Sequence, residues 1–218
     1  MPLGLDRVRD ALVIAPHPDD ETIGAYGLIR RLVRQSARVR VVIVTDGAGS
    51  HRNSALWPAA RLIAERQRET RRAMARIGVP AGAVQFVGLP DGRTSALPDR
   101  ALRPLRRAIA QARGVDLLLS PARDDDHPDH RITAQAAQAF GRSTRHLEYL
   151  VWPNRHSRSR PATHALRLGV TTAAKRGTIR RYFTQMGRIH DDPAGFTISR
   201  SELAAFSHPV ERYRQVSR

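Results

Sequence analysis

Apolar runs and helical repeats alternate along the first part of this 218-residue chain. Four short runs have the length and β-branched content of strands buried on both faces of a parallel sheet. They lie at 11–15, 38–46, 84–89 and 115–119. Apolar residues recur at helical spacing in the segments 20–35, 58–77 and 102–112. The alternation predicts an α/β fold, an open, mostly parallel, Rossmann-like sheet with helices on both faces.

The pattern is weaker in the last third of the chain. It predicts a fifth strand over 146–151, a polar loop over 153–160 and a helix over 171–186. No internal repeat or convincing change of composition marks a domain boundary. We therefore expect a single domain over residues 1–218, with the segment 151–218 as part of it.

Composition restricts the chemistry that the chain can carry out. It contains no cysteine, so disulfides and thiolate metal ligands are excluded, and a bound metal would need histidine, aspartate and glutamate. No apolar run approaches the roughly 20 residues of a membrane-spanning helix. The first residues also lack the apolar region of a secretion signal. We expect a cytoplasmic protein without a membrane span.

The charge of the chain bears on its partners. It has 37 basic and 20 acidic residues, a formal net charge of +17, and Lys175 is the one lysine. Residues 151–218 carry 13 basic and 4 acidic residues. Such an excess suits a polyanion or a phosphate-bearing substrate. Because no zinc-finger spacing or RNP-type aromatic strand accompanies it, a small molecule is favoured over nucleic acid. The sequence does not define an oligomeric state.

Two clusters of ionisable residues follow predicted strands. They are Pro16-His17-Pro18-Asp19-Asp20-Glu21 and Asp124-Asp125-Asp126-His127-Pro128-Asp129-His130. The carboxyl ends of parallel strands form the ligand-binding edge of such a sheet, so we expect the clusters to meet there. A helix start alone would explain Asp20 and Glu21 through the helix dipole. It leaves His17 and Asp19 without a role.

The residue types in these clusters indicate metal-dependent hydrolysis. Two imidazoles and a carboxylate, with open coordination positions, form the ligand set of a hydrolytic zinc site. At such a site a metal-bound water becomes a usable nucleophile near neutral pH. His127 and His130 are three residues apart, so a helix beginning near Pro128 would direct one into the site and leave the other beside it.

Both clusters resemble motifs of a known family. The chain is similar to the PIG-L/LmbE-like zinc-dependent N-deacetylases at 15–21, where the family has an AHPDDE-type motif, and at 125–130, where it has a DxHPDH-type motif. Weaker similarities lie at 45–47, 66–69, 89–92, 149–152 and 182–185. The resemblance implies an LmbE-like fold and a zinc-dependent hydrolase that removes the acetyl group from an N-acetylglucosamine-type amino sugar or its conjugate.

The resemblance also implies a role for each central motif residue. His17, Asp20 and His130 correspond to the metal ligands. Asp19 corresponds to the general base that acts on the metal-bound water. His127 corresponds to the group that stabilises the oxyanion or protonates the leaving amine.

Three further residues are candidates with a structural alternative. Asp129 either orients His127 as a carboxylate partner or is an acid at a helix start. Arg66 and Asp91 stand where the family places substrate-contacting side chains. Arg66 also belongs to an arginine-rich helix with many solvated side chains, and Asp91 lies in a Pro-Asp-Gly turn that favours aspartate.

The sequence leaves other interpretations open. A His/Asp/His ligand set accepts Fe²⁺ or Co²⁺ as well as Zn²⁺. The hydrolysed bond could be a different acyl amide. In another class of function, the chain would be a basic nucleic-acid or polyanion binder with a structural metal. The expected partner remains a small acetylated amino sugar, with or without a phosphate group.

Overall fold

The structure is a computed structural model that describes residues 3–110, 114–140, 144–152 and 161–216. In these residues the strands β1 to β7 are Asp10–Ala15, Arg38–Thr45, Val84–Leu89, Leu117–Pro121, Arg145–Tyr149, His164–Arg167 and Val210–Gln215. The helices α1 to α6 are Asp20–Arg34, Ala59–Ile77, Arg103–Ala110, Pro128–Phe140, Thr172–Ile179 and Arg200–Phe206.

The strands form one open, mostly parallel sheet in the order β3-β2-β1-β4-β5-β7-β6. The first five strands of the chain pair with one another in parallel. β7 pairs antiparallel with both β5 and β6 at one edge. The predicted fold class is confirmed, and the antiparallel edge was not predicted.

Helices cover both faces of the sheet and bury two hydrophobic layers. Alternate residues of β1 point to opposite layers, with Val13 in one and Leu12 and Ile14 in the other. The first layer includes side chains from α1, α2, α5 and α6. The second includes side chains from α3 and α4. This two-sided burial explains why the strand sequences are almost continuously apolar.

The predicted elements agree best with the structure in the first half of the chain. The predicted helix over 171–186 is wrong beyond Ile179, where α5 ends. Residues after it turn inward because buried carboxylates bind them: Tyr182 donates to Glu21, and Thr184 donates to Glu69. β6, α6 and β7 were not predicted. The predicted loop over 153–160 lies outside the described residues.

Candidate metal and catalytic centre

Both motif loops lie at the same edge of the sheet, as predicted. β1 and β4 are adjacent and parallel, and each loop follows the carboxyl end of its strand. β2 lies on the other side of β1, so this is the switch point at which open α/β sheets bind ligands. A pocket of 240 Å³ opens there. Seven of the eight candidate residues line it: His17, Asp19, Asp20, Arg66, Asp91, His127 and His130.

Three side-chain atoms meet at the base of this pocket. His17 Nδ1 lies 3.0 Å from Asp20 Oδ2. His130 Nε2 lies 3.2 Å from the same oxygen and 3.2 Å from His17 Nδ1. A tetrahedral zinc ion with ligands at ~2.0–2.1 Å separates its ligand atoms by about 3.3 Å. The triangle therefore has the size and donor chemistry for one divalent cation.

Two wider groupings of ligand atoms share His17. They are His17, His127 and His130, and His17, Asp91 and Asp129, each with its atoms within 4.8 Å of one another. The triangle is tighter, and carboxylates face the second nitrogens of its histidines. His130 Nδ1 lies 3.0 Å from Asp125 Oδ2, and His17 Nε2 lies 3.1 Å from Asp91 Oδ1. Such partners orient metal-binding histidines, which favours the triangle as the ligand set.

Carboxylates raise the pKa of both histidines in the triangle. Burial lowers the pKa of His130, but the charge of Asp20 and the contact with Asp125 outweigh it and raise the pKa to about 9. Burial also lowers the pKa of His17, but hydrogen bonds, led by the one with Asp129, outweigh it and raise the pKa well above the usual value. A site that stabilises imidazolium charge also suits a metal cation.

Metal affinity is expected to rise with pH, because a metal binds neutral imidazole and must displace a proton. The pKa of His130, about 9 against an ordinary 6.5, keeps the proton in competition at neutral pH. Competition titration with a chelator of known affinity measures the metal affinity at each pH. An affinity that is constant from neutral pH to about 9 would contradict the expectation.

Protonated His130 also stabilises the metal-free chain. Because its pKa is raised in the folded chain, this stability is complete below about pH 6.5 and is lost as the pH rises through about 9.

Asp129 lies buried behind His17. Its carboxylate accepts hydrogen bonds from Gly92 N at 2.7 Å and from Thr94 Oγ1 at 2.6 Å, and it lies 3.3 Å from His17 Nε2. Burial raises the pKa of Asp129, but the bonds with His17 and Thr94 hold it well below its usual range. The predicted contact between this carboxylate and His127 is wrong. The start of α4 turns the carboxylate toward His17, and only the backbone N–H of Asp129 reaches His127.

Asp129→Asn is expected to weaken metal binding by roughly 10–100-fold, the usual effect of removing a partner of a ligand histidine. The amide keeps the size of the side chain but lacks the charge that His17 faces. Chelator competition on the variant measures the loss. Asp99→Asn makes the same change at a surface residue and serves as the control. Equal affinities for the two variants would remove Asp129 from the metal site.

Asp19 is held in a strained backbone conformation. Its φ angle is 128°, in a region that costs a non-glycine residue about 1–3 kcal/mol. Its backbone N–H donates to Glu21 Oε2 at 3.1 Å, and its carboxylate lies 3.3 Å from Arg66 Nη2. Burial raises its pKa well above the usual value, although the charge of Arg66 opposes this. Such strain is typical of functional sites, where the surrounding structure fixes one orientation.

Glu21 and Tyr182 form hydrogen bonds that hold the backbone of Asp19 in place. Neither residue was predicted as a site residue. The Tyr182 hydroxyl donates to Glu21 Oε1, and Thr22 Oγ1 lies 3.0 Å from the Tyr182 oxygen. Burial raises the pKa of Glu21. Glu21 is thus more than an acid in a first helical turn, because it binds the strained peptide of Asp19. The similarity at 182–185 was the only sequence signal for this contact.

Arg66 and Asp91 both line the pocket, and both already form hydrogen bonds with other residues of the protein. Arg66 is 2% exposed and donates to the carbonyl oxygens of Gly47 at 3.0 Å and Pro18 at 2.7 Å. Asp91 accepts a hydrogen bond from Gly49 N at 2.9 Å. Burial raises the pKa of Asp91, but its hydrogen bond with His17 lowers it overall. These contacts hold the pocket loops together, and the substrate contacts of both residues stay predictions.

His127 stands beside the triangle at the pocket wall. Its ring centroid lies 4.6 Å from that of His17 and 5.2 Å from that of His130. Burial, followed by the charges of these two rings, lowers its pKa, which favours the neutral form of the ring. Its Nδ1 accepts a hydrogen bond from Asp129 N at 3.2 Å. An Nδ1 that accepts leaves the proton of the neutral ring on Nε2.

An aromatic wall completes the pocket. Trp152 packs edge-on against Phe206 at 4.8 Å and against Phe196 at 6.0 Å between ring centroids, and all three line the pocket. One part of the half-buried Trp152 ring packs against the hydrophobic core. Its pocket face offers an apolar surface of the kind that sugar rings contact.

Comparison with known proteins identifies the family. Residues 12–140 match the family profile described as PIG-L, GlcNAc-PI de-N-acetylase. The match covers more than half of the chain, and the chain belongs to this family.

A curated relative is similar to part of the chain. The chain is 32% identical over 151 residues to a 1D-myo-inositol 2-acetamido-2-deoxy-alpha-D-glucopyranoside deacetylase of Mycobacterium sp. (strain KMS), over 64% of this chain and 47% of that protein. The chain therefore spans about half the length of the curated relatives that it matches.

Solved structures share the fold. The N,N'-diacetylchitobiose deacetylase of Pyrococcus horikoshii superposes with a TM-score of 0.68 at 20% identity, over 83% of this chain and 72% of that one. The 4-carboxy-2-hydroxymuconate hydratase of Pseudomonas putida KT2440 gives 0.71 at 14% identity, over 96% and 97%. Because a deacetylase and a hydratase share this fold, the fold alone does not define the reaction. Among the described residues, no helix has the length and apolar character to cross a membrane.

Proposed function

We propose that this chain is a metal-dependent N-deacetylase that hydrolyses the acetamide of an acetylated amino sugar or its conjugate. One observation carries the proposal: the ligand atoms of His17, Asp20 and His130 lie within 3.2 Å of one another, in a pocket that Asp19 and His127 also line. The family match supports the reaction class. The same match disfavours a polyanion-binding protein with a structural metal.

His17, Asp20 and His130 would hold the metal. Zn²⁺ suits two imidazoles and a carboxylate best, and Fe²⁺ or Co²⁺ fits the same donors. When bound, a divalent cation supplies Lewis acidity that lowers the pKa of a water molecule and polarises the amide carbonyl. All other groups that the reaction needs come from the chain.

Asp19 is the proposed general base. Its carboxylate accepts a proton from the attacking water and then delivers it to the nitrogen of the departing amine. A raised pKa suits a carboxylate that must hold a proton between these two steps. The contact with Arg66 Nη2 at 3.3 Å fixes its direction, because the same guanidinium also binds the Pro18 carbonyl oxygen. Arg66 therefore acts mainly as a positioning residue.

His127 is the proposed oxyanion donor. Attack of water on the acetamide carbonyl places negative charge on its oxygen. The lowered pKa of His127 and the hydrogen bond that Nδ1 accepts support a neutral ring with an Nε2–H. That N–H can donate to the oxyanion, whereas a neutral imidazole is a poor acid for the amine. The structure thus favours one of the two roles expected for His127.

The pocket supports an amino sugar as the substrate. Trp152 and Phe206 offer an apolar face to a sugar ring. Asp91 also lines the pocket, and its carboxylate, which lies beside His17, can accept a hydrogen bond from a sugar hydroxyl. The substrates named in the descriptions of the curated relative and of the chitobiose deacetylase both contain an acetamido sugar.

Acetate release tests the proposal. The metal-loaded chain is incubated with N-acetylglucosamine, its inositol and phosphate derivatives, and diacetylchitobiose, and acetate is quantified. We expect acetate from at least one of them and none from the chelated protein. Release that survives chelation would overturn the metal dependence. Cleavage of longer acyl amides without acetate release would replace deacetylation by another amidase reaction.

A further inference from the structure

A second concave surface lies far from the candidate active site. A groove of 460 Å³ runs between the last turns of α1 and the strand β6. Its arginines are Arg30, Arg31, Arg34 and Arg167. α1 begins at Asp20 and rises about 1.5 Å per residue, so Arg30 lies about 15 Å along the helix from that proposed ligand. The groove and the active-site pocket share no lining residue.

Helix chemistry explains only part of this cluster. Arginines near the end of α1 complement the negative end of its helix dipole. The helix dipole does not explain Arg167, because this residue lies on β6 across the groove. Arg31 contacts Asp6 at 3.4 Å, but both side chains are exposed, and such pairs contribute little. Four like charges therefore face one concave surface.

The guanidinium groups are the donors that this groove can offer a ligand. No acidic residue is among its described lining residues. Arg30 Nε is buried and has no hydrogen-bond partner within the described residues. By contrast, the Gln35 amide is already bonded to the carbonyl oxygens of Leu5 and Val8. A ligand that satisfies these donors must be an anion with several acceptor oxygens.

We propose that this groove binds a phosphate ester that carries two or more negative charges. The planar guanidinium matches phosphate oxygens in a two-bond geometry, and several arginines favour a multiply charged group. Leu166 and Leu168 give the groove an apolar side for the carbon part of the ester. The phosphate belongs either to a free small molecule or to a lipid headgroup, since both present the same oxygens.

Two matched double variants test the groove. Arg30→Gln/Arg34→Gln removes two groove charges one helical turn apart. Arg103→Gln/Arg107→Gln removes two exposed charges at the same spacing on α3. Calorimetry with inorganic pyrophosphate, in buffer with a chelator so that no metal competes, measures the free-phosphate arm. Cosedimentation with phosphatidylcholine vesicles, with and without phosphatidylinositol phosphate, measures the headgroup arm.

We expect the groove variant to weaken binding of at least one probe by roughly tenfold or more, from the loss of two charge-assisted contacts. The α3 variant is expected to bind almost as the unmodified chain does. The probe that shows this difference identifies the source of the phosphate. Equal weakening by both variants would mean unspecific attraction to a basic chain, and absence of binding by both probes would equally overturn the proposal. Thermal unfolding of each variant verifies that the fold is kept.

Discussion

Asp19→Asn is expected to lower kcat for deacetylation by roughly 10²–10⁴-fold, the range for loss of a general base, while metal binding is retained. Asparagine has nearly the shape of aspartate and can keep the contact with Arg66 at 3.3 Å, but it cannot accept the proton of the attacking water. KM is expected to change little, because the lost interaction belongs to the transition state. Steady-state acetate release and bound metal per chain measure the two effects separately.

The control for Asp19→Asn is Asp99→Asn, the same chemical change at an exposed residue that pairs with Arg106. It is expected to leave kcat and metal content unchanged. An Asp19→Asn enzyme with full activity would remove the general-base role. Loss of the metal in Asp19→Asn would instead indicate that Asp19 is a metal ligand. That result would contradict the proposed ligand set of His17, Asp20 and His130.

His130→Ala is expected to abolish metal binding at neutral pH, and with it acetate release. The substitution removes one corner of the triangle, where His130 Nε2 lies 3.2 Å from Asp20 Oδ2. The loss should exceed the roughly 10–100-fold effect expected for Asp129→Asn, which removes only a partner of a ligand. Chelator competition and metal analysis of the purified variant measure the loss.

His190→Ala is the matched control, because His190 is exposed and lies outside the described pocket. It should bind metal as the unmodified chain does. Retention of a full equivalent of metal by His130→Ala would favour the wider grouping of His17, Asp91 and Asp129 as the ligand set. Because His130 is buried, its replacement also leaves a cavity, so thermal unfolding must accompany the measurement.

Spacing along the chain carried the information needed for the centre of the site. Two clusters, each directly after an apolar run, were enough to expect that the two loops meet, because neighbouring parallel strands end at one edge. The choice of His130 over His127 as the partner of His17 came from the resemblance to the family. The structure brings the ring nitrogens of His17 and His130 within 3.2 Å across a separation of 113 residues. The same reasoning predicted the order of strands and helices through β4.

The contacts behind the central residues required the tertiary structure. Tyr182 reaches Glu21 across 161 residues, and no local pattern specifies that pairing. The turn of the Asp129 carboxylate toward His17 depends on hydrogen bonds from the backbone at residues 92–94. The strained φ of Asp19 is also invisible in a sequence, since the residue type alone favours ordinary conformations.

Titration of metal into the chelated chain, with the rate of acetate release as the readout, tests the central claim most directly. The account predicts no release at the start, a linear rise with added Zn²⁺ and a break at one metal ion per chain, in line with one triangle of ligand atoms. Full activity of the metal-free chain, or metal uptake to one equivalent without acetate from any acetamido sugar, would contradict it.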